Sequence, residues 1–206
     1  MKIGVLALQG DFREHINSLS DCGVNAVAVK TKEEIQSIDG LIIPGGESTT
    51  IAKLARSFDL FDLIKQRISD GMPTYGSCAG MILLADRIED AIVGQESFGG
   101  IDMTVRRNAF GRQVDSFETD LNFQGITQPS VKAVFIRAPW VEQLGGNVQI
   151  LAEVVGADGS KHPVAVRQGN LLATSFHPEL TGDNRIHRYF IEEICAKSVK
   201  NSLVKN

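Results

Sequence analysis

Cys78 stands between glycines in Gly76-Ser77-Cys78-Ala79-Gly80, after a short apolar run and ahead of a helix-like segment. That order is the strand, sharp turn and helix of a nucleophile elbow, with a thiol in place of the serine hydroxyl. A side chain at such a tip is held in a strained backbone conformation, and neighbours without a Cβ let strand and helix close around it. The thiol would also sit at a helix N-terminus, where the macrodipole and free N–H groups favour thiolate. Further on, His177-Pro178-Glu179 ends the apolar run from Leu171 to Phe176. Pro178 biases His177 toward extended backbone, in which positions 177 and 179 share one side, so imidazole and carboxylate can point at one spot. A base oriented by an acid and facing a cysteine activates a thiol for acyl transfer. A third stretch, Pro44-Gly45-Gly46-Glu47-Ser48, follows a strand and precedes a helical run that Ser48 or Thr49 would cap. Its glycine pair lets main-chain N–H groups turn outward, as an oxyanion hole requires and as a phosphate cradle would equally allow. Glu47, with no lysine following it, suits a substrate carrying an ammonium group better than a phosphate.

Each stretch alone has a plainer reading: a buried thiol beside a glycine turn, a strand-end histidine with a solvated glutamate, an ordinary strand-to-helix turn. Coincidence explains the three together poorly, because all end strands of the kind whose carboxyl edge hosts ligands in open α/β sheets. A metal site built from Cys78, His177 and Glu179 would lack both a fourth ligand and paired ligand spacing, so neither a metal nor a cofactor is expected.

The elements that must position these residues are apolar runs of strand length, Ile3 to Leu8, Ala26 to Val29, Leu41 to Ile43 and Pro73 to Tyr75, with helical stretches near 12–21, 49–69 and 80–88 between them. Continuous rather than alternating apolar runs mark strands buried on both faces. The expected fold is therefore α/β, a single-domain flavodoxin-like open sheet, mostly parallel and flanked by helices. After about residue 92 additional β-strands are expected at Met103 to Arg106, Val114 to Glu118, Val131 to Arg137, Val148 to Val155, Pro163 to Arg167 and Leu171 to Phe176. A closing helix from Arg185 to Val199 completes one domain over 1–199, with 200–206 as a frayed tail.

With 206 residues, 43% of them hydrophobic, one domain can bury a substantial core. A formal net charge of −4 offers no basic face for a phosphate backbone, so nucleic acid is not an expected partner. No apolar run approaches the roughly 18 residues that span a bilayer, and Ile3 to Leu8 is shorter than a signal-peptide core. A cytoplasmic protein without membrane contact is expected. Cys22, Cys78 and Cys195 form neither an even disulfide set nor a metal pattern, so they should be reduced thiols.

The order Pro-Gly-Gly-Glu-Ser, Gly-x-Cys-x-Gly, His-Pro-Glu resembles the triad-type (class I) glutamine amidotransferases. Within them it is similar to the glutaminase subunits of pyridoxal 5′-phosphate synthases. The resemblance runs from Ile3 to about Ile194 and includes Leu8-Gln9-Gly10, Glu14-His15, Gly45 through Thr50, Arg107-Asn108, Phe110 through Glu118, Phe135 through Pro139 and Ser175 through Leu180. It implies hydrolysis of L-glutamine to glutamate and ammonia, with Cys78 as nucleophile, His177 as base and Glu179 as its orienting acid. It implies an oxyanion hole at the backbone N–H groups of Gly46 and Ala79, and glutamine contacts from Gly46, Glu47, Ser48, Arg107, Ile136 and Arg137. The implied partner is a synthase subunit, in a hetero-oligomer, that receives the ammonia. Arg107 or Arg137 suits the substrate α-carboxylate and Glu47 its α-ammonium. The segment Gly156 to His162 is slightly longer than the family pattern and the chain runs on through Lys200 to Asn206, but neither touches a motif.

Glycine also suggests control. The Gly45-Gly46 peptide can rotate cheaply, so the oxyanion donor can point away until partner contact at Gln9 and Gly10, at the end of the first strand, holds it. Two rival readings are a glutaminase serving another synthase, such as that of imidazole glycerol phosphate, and a non-catalytic flavodoxin-like protein with a redox-sensitive Cys78. Leu8-Gln9-Gly10 and Phe110-Gly111-Arg112-Gln113 argue against the first, and His177-Pro178-Glu179 is a feature the second does not need.

Overall fold

The computed structural model describes residues 1–107, 116–127, 129–156 and 159–198. In chain order the first half runs β1 (Lys2–Leu6), α1 (Phe12–Asp21), β2 (Asn25–Val29), α2 (Lys32–Gln36), β3 (Gly40–Ile43), α3 (Ser48–Ser57), α4 (Phe61–Ser69), β4 (Thr74–Ser77), α5 (Ala79–Leu84) and β5 (Ala85–Glu89). The second half is β6 (Ile101–Arg106), β7 (Ser116–Leu121), β8 (Val131–Ile136), β9 (Trp140–Leu144), β10 (Gln149–Val155), β11 (Lys161–Gln168), β12 (Leu171–Thr174) and α6 (Arg185–Tyr189), which continues as a π-helical segment, Phe190–Cys195.

A seven-stranded sheet in the order β10-β11-β12-β4-β3-β1-β2 forms the centre, parallel from β12 to β2 and antiparallel at the β10-β11-β12 end. Smaller sheets, β5-β6-β9 and β7-β8, lie beside it. The expected mostly parallel α/β sheet with added strands is what forms. Alternation along the strands builds two cores, since successive side chains point to opposite faces. Leu41 and Ile43 join α3, α4 and α5 on one face, whereas Ile42, Ile3, Val5 and Tyr75 meet α1 and the closing helix on the other.

Several expected boundaries differ. The helical stretch at 49–69 divides into α3 and α4 at Phe58 to Leu60, where Asp59 takes a positive φ of 56°. The stretch at 80–88 is helical only to Leu84, after which the chain enters β5, because Ala85 turns extended and pairs with Ile101. Strand β9 and helix α2 have no counterpart among the expected elements; α2 is a five-residue helix closed by a Thr31/Glu34 capping box. The start of the strand expected from Val114, the end of the closing helix at Val199 and the tail 200–206 lie outside the described residues.

The parallel order brings the carboxyl ends of β1, β3, β4 and β12 side by side, which is where the three chemical stretches emerge. The β4-to-α5 turn is tight enough that two glycines are obligatory. A Cβ on Gly76 would lie 2.4 Å from the Gly80 carbonyl, and one on Gly80 would lie 2.2 Å from the Ile43 carbonyl oxygen. Both obstacles are backbone, so nothing flexible can yield.

Gly80→Ala should therefore cost about 2 kcal/mol or more of stability, whereas Gly146→Ala, where a Cβ meets nothing within 4 Å, should change it by less than about 0.5 kcal/mol. Urea unfolding of both variants checks this, and equal midpoints would show that the turn can open without penalty.

Candidate active site

Cys78 occupies the position between β4 and α5 with φ 49° and ψ −101°, a left-handed conformation that a residue with a Cβ adopts only when its surroundings enforce it. Its amide donates to the Thr174 carbonyl on β12 at 2.8 Å, and its carbonyl accepts from Met81 at 3.1 Å, so strand and helix hold it from both sides. The side chain is buried rather than on an open turn, with Sγ 3.9 Å from the Ile136 carbonyl oxygen.

His177 and Glu179 do come together, by a different route from the extended one expected. His177 leaves β12 and Pro178–Leu180 forms a 3-10 turn, in which Pro178 is well placed because its missing N–H is not needed. The turn folds Glu179 back so that His177 Nδ1 donates to its Oε1 at 2.7 Å. The His177 amide donates to Val134 on β8 at 2.9 Å, which anchors the base to the β7-β8 sheet. Its ring lies against the glycine loop, where a Cβ on Gly45 would come within 2.3 Å of Cε1.

Burial opposes a charge on His177, but its hydrogen bonds and attraction to Cys78 and Glu179 outweigh that and raise the imidazole to about 10. Burial pushes the Glu179 carboxyl up, against the pull of His177. An imidazole raised this far holds its proton at neutral pH, between Cys78 Sγ on one side and the Glu179 carboxyl on the other. Burial raises the Cys195 thiol to about 12 and also raises that of Cys22.

Glu47, not Ser48 or Thr49, caps α3. Its carboxylate accepts from the Thr50 amide at 2.7 Å and the Thr49 amide at 3.3 Å, from Thr50 Oγ1 at 2.9 Å, and from Thr49 Oγ1. Partial burial resists its ionisation, yet these bonds bring it down to about 2. The same carboxylate meets Arg107 at 3.3 Å, while Arg107 Nη1 donates to Gln95 at 2.8 Å and Gln95 donates to Ser48 Oγ at 3.2 Å. Glu47 is thus already engaged, and Arg107 is fixed from two sides.

The first-strand loop touches the glycine pair as expected. Strand β1 pairs with β3, Gln9 Oε1 accepts the Glu47 amide at 2.8 Å, and a Cβ on Gly10 would lie 1.8 Å from the Gly45 carbonyl oxygen. Asp11 donates its amide to that carbonyl at 3.2 Å, so the trans peptide aims the Gly46 N–H the opposite way.

A cavity of about 380 Å³ opens over these groups. Gln9, Gly46, Glu47, Ser48, Cys78, Ala79, Arg107, Ile136, Arg137 and His177 line it, together with Asp11, Ile82 and Pro139. Glu179 lies behind His177, and Gly10 and Gly45 form the supporting loop without lining the cavity. A surface depression of about 480 Å³ beside Arg185 and Tyr189 is larger but is lined by no cysteine or histidine. Asp11, 3.7 Å from His177 Nδ1, and Gln95 were not recognisable as site residues, since no local pattern marks either. Asp11, His177 and Glu179 have ligand atoms within 4.8 Å of one another, but the His177 nitrogen involved already donates to Glu179.

The SNO glutamine amidotransferase family matches residues 5–196. A relative from Nocardioides sp., a pyridoxal 5′-phosphate synthase subunit PdxT, is 60% identical over 92% of this chain and 94% of its own. The same subunit of Rhodococcus opacus is 59% identical over 92% of this chain and 95% of its own. A solved glutamine amidotransferase superposes with a TM-score of 0.85 at 48% identity, covering 94% of this chain and 98% of the other. The chain belongs to the SNO glutamine amidotransferase family.

Proposed function

We propose that this chain is the glutaminase subunit of a pyridoxal 5′-phosphate synthase, releasing ammonia from L-glutamine and handing it to the synthase subunit. The single observation that carries the chemistry is the buried cysteine of a strained elbow, in reach of an imidazole whose far nitrogen is bonded to a buried carboxylate. The relatives' shared name supports the acceptor. Cys22, Cys78 and Cys195 are unpaired, which suits a reducing cytosol, and no helix of the described residues is long and apolar enough to cross a membrane.

In the proposed mechanism, Cys78 Sγ attacks the side-chain amide carbon of glutamine. The oxyanion that develops is met by the N–H groups of Gly46 and Ala79, each such donor contributing about 3 to 4 kcal/mol in well-studied hydrolases. His177 gives its proton to the leaving nitrogen, so ammonia departs and a γ-glutamyl thioester remains. The imidazole then takes a proton from water, which attacks the thioester, and glutamate leaves as the thiol is restored. Glu179 fixes the His177 tautomer and steadies the imidazolium. Arg137 reaches the cavity from the end of β8 on a φ of 42° and is offered to the α-carboxylate, since Arg107 is bound to Glu47 and Gln95. Glu47 keeps its charge and faces the α-ammonium while holding Arg107 and the α3 cap; Ser48 and Ile136 complete the walls.

Cys78→Ala should abolish ammonia release while leaving the circular dichroism spectrum unchanged. His177→Asn should lose nearly as much and Glu179→Gln less, because an orienting residue contributes less than the base it orients. In steady-state assays the Cys78/His177 double variant should fall little below either single one; multiplying losses would mean that the two do not act as a unit. A glutamine-directed alkylating analogue should label Cys78 and spare Cys22 and Cys195, and equal labelling of the three in peptide mapping would remove the case for an activated thiol.

Turnover by the isolated chain should be low and rise when the synthase subunit binds, a tenfold rise corresponding to about 1.4 kcal/mol. Gln9, Gly10 and Gly45 are the proposed route, with partner contact shifting the Gly45-Gly46 peptide between orientations. Gln9→Ala should blunt the response in glutamine assays with saturating partner, and an isolated wild-type chain already at full speed would rule out the gating.

A further inference from the structure

Behind the triad lies a buried polar cluster that the mechanism above does not use. His15 on α1 is completely buried, with Nε2 2.9 Å from Ser77 Oγ and 3.5 Å from Glu179 Oε2, and with Nδ1 2.9 Å from His187 Nε2. Ser77 is the residue before the nucleophile, so one imidazole touches the neighbour of Cys78 at one end of the triad and Glu179 at the other. Glu179 spends Oε1 on His177, whereas Oε2 has no hydrogen-bond partner although it is fully buried. A buried carboxylate oxygen without a donor is costly, and His15 Nε2 stands 3.5 Å from it.

The protonation of His15 follows from its neighbours. Burial, with repulsion from His187 and His177, lowers His15 well below its usual range, and burial lowers His187 to about 4, so each is neutral and carries one N–H. Were that hydrogen on His15 Nδ1, it would be donated to His187 Nε2. His187 would then carry its own N–H on Nδ1, which is buried and has no partner, and His15 would turn a lone pair toward the Glu179 carboxylate. In the other arrangement His187 Nε2–H donates to His15 Nδ1, leaving an unfilled acceptor at His187 Nδ1. His15 Nε2–H then faces both Ser77 Oγ and Glu179 Oε2. The second arrangement moves the unfilled donor from the fixed ring of His187 to the Ser77 hydroxyl, whose hydrogen can rotate, and it avoids a lone pair opposite a negative oxygen.

We propose that His15, set in its Nε2–H tautomer by His187, is a positioning residue of the triad that presents this N–H to the second oxygen of Glu179. The proposal rests on the triad reading above. With Oε1 bonded to His177 and Oε2 facing this N–H at 3.5 Å, rotation of the carboxylate out of line with His177 is opposed, and the imidazole it orients stays aimed at Cys78. His15 lies outside the cavity lining, so its loss should lower kcat with little change in KM.

The test compares His15→Gln, His15→Asn and His15→Leu in the complex with the synthase subunit, at a temperature where circular dichroism shows each variant folded. Glutamine carries an amide where the imidazole has Nε2, whereas asparagine reaches only the Nδ1 position and leucine offers no donor. His15→Gln should keep kcat within about threefold of wild type, while His15→Asn and His15→Leu should lose roughly tenfold or more with KM for glutamine within about twofold. Equal losses in all three that follow their melting temperatures, unchanged kcat in folded His15→Asn, or a rise in KM at constant kcat would each overturn the proposal. If His15→Leu fails to fold, the Gln and Asn pair alone decides it. Cys78→Ala is assayed alongside: its inactivity with a fully active His15→Asn would refute only the role of His15, whereas an active Cys78→Ala would refute the triad itself.

Discussion

Everything in the site depends on the crowding of backbone at one turn. Cys78 can stay at a positive φ only because β4 and α5 are pressed together through Gly76 and Gly80, with Gly80 in turn pressed on the Ile43 carbonyl. Such a conformation costs on the order of 1 to 3 kcal/mol, which the surrounding sheet must offset. The parallel pairing of β3, β4 and β12 supplies that support, and the same pairing sets the Gly45-Gly46 loop and His177 on either side of the thiol. The position of Cys78 and the position of His177 and the glycine loop are therefore one consequence of strand order.

Electrostatics then divides labour among the buried groups. His177 is raised, by the groups it bonds and despite its burial, whereas His15 and His187, deeper in the same region, are lowered by burial and remain neutral. Three histidines within one connected cluster thus play two roles. One is raised and keeps its proton at neutral pH, and two are lowered and stay neutral, which in the proposed mechanism separates proton transfer from positioning. Glu179 is where the two roles meet, with one oxygen toward each kind of histidine.

The elbow was legible because glycine-flanked cysteine between strand and helix is a local pattern, and the parallel sheet because its runs are continuous. His177-Pro178-Glu179 was recognised as a pair for an incomplete reason: a 3-10 turn, not extended backbone, brings the side chains together. Glu47 as the cap is not legible in the sequence, because shorter Ser and Thr are better cap residues in general, yet its longer carboxylate reaches both Thr49 and Thr50. The apolar run Met81 to Leu84 gives no sign that Ala85 begins a strand, because pairing with β6 decides it. His15 is the extreme case. Its partners Ser77, Glu179 and His187 are brought to it only by the fold, and nothing around position 15 distinguishes a buried dipole from a surface histidine.

The central claim, covalent catalysis at Cys78, is tested most directly by trapping the acyl-enzyme. The complex is mixed with isotopically labelled glutamine, quenched in acid during the first turnover, digested and analysed by mass spectrometry. The account predicts a glutamyl adduct on the peptide containing Cys78, removable by hydroxylamine as a thioester should be. Ammonia released in that turnover with no label on Cys78, or with label on Cys22 or Cys195 instead, would contradict it.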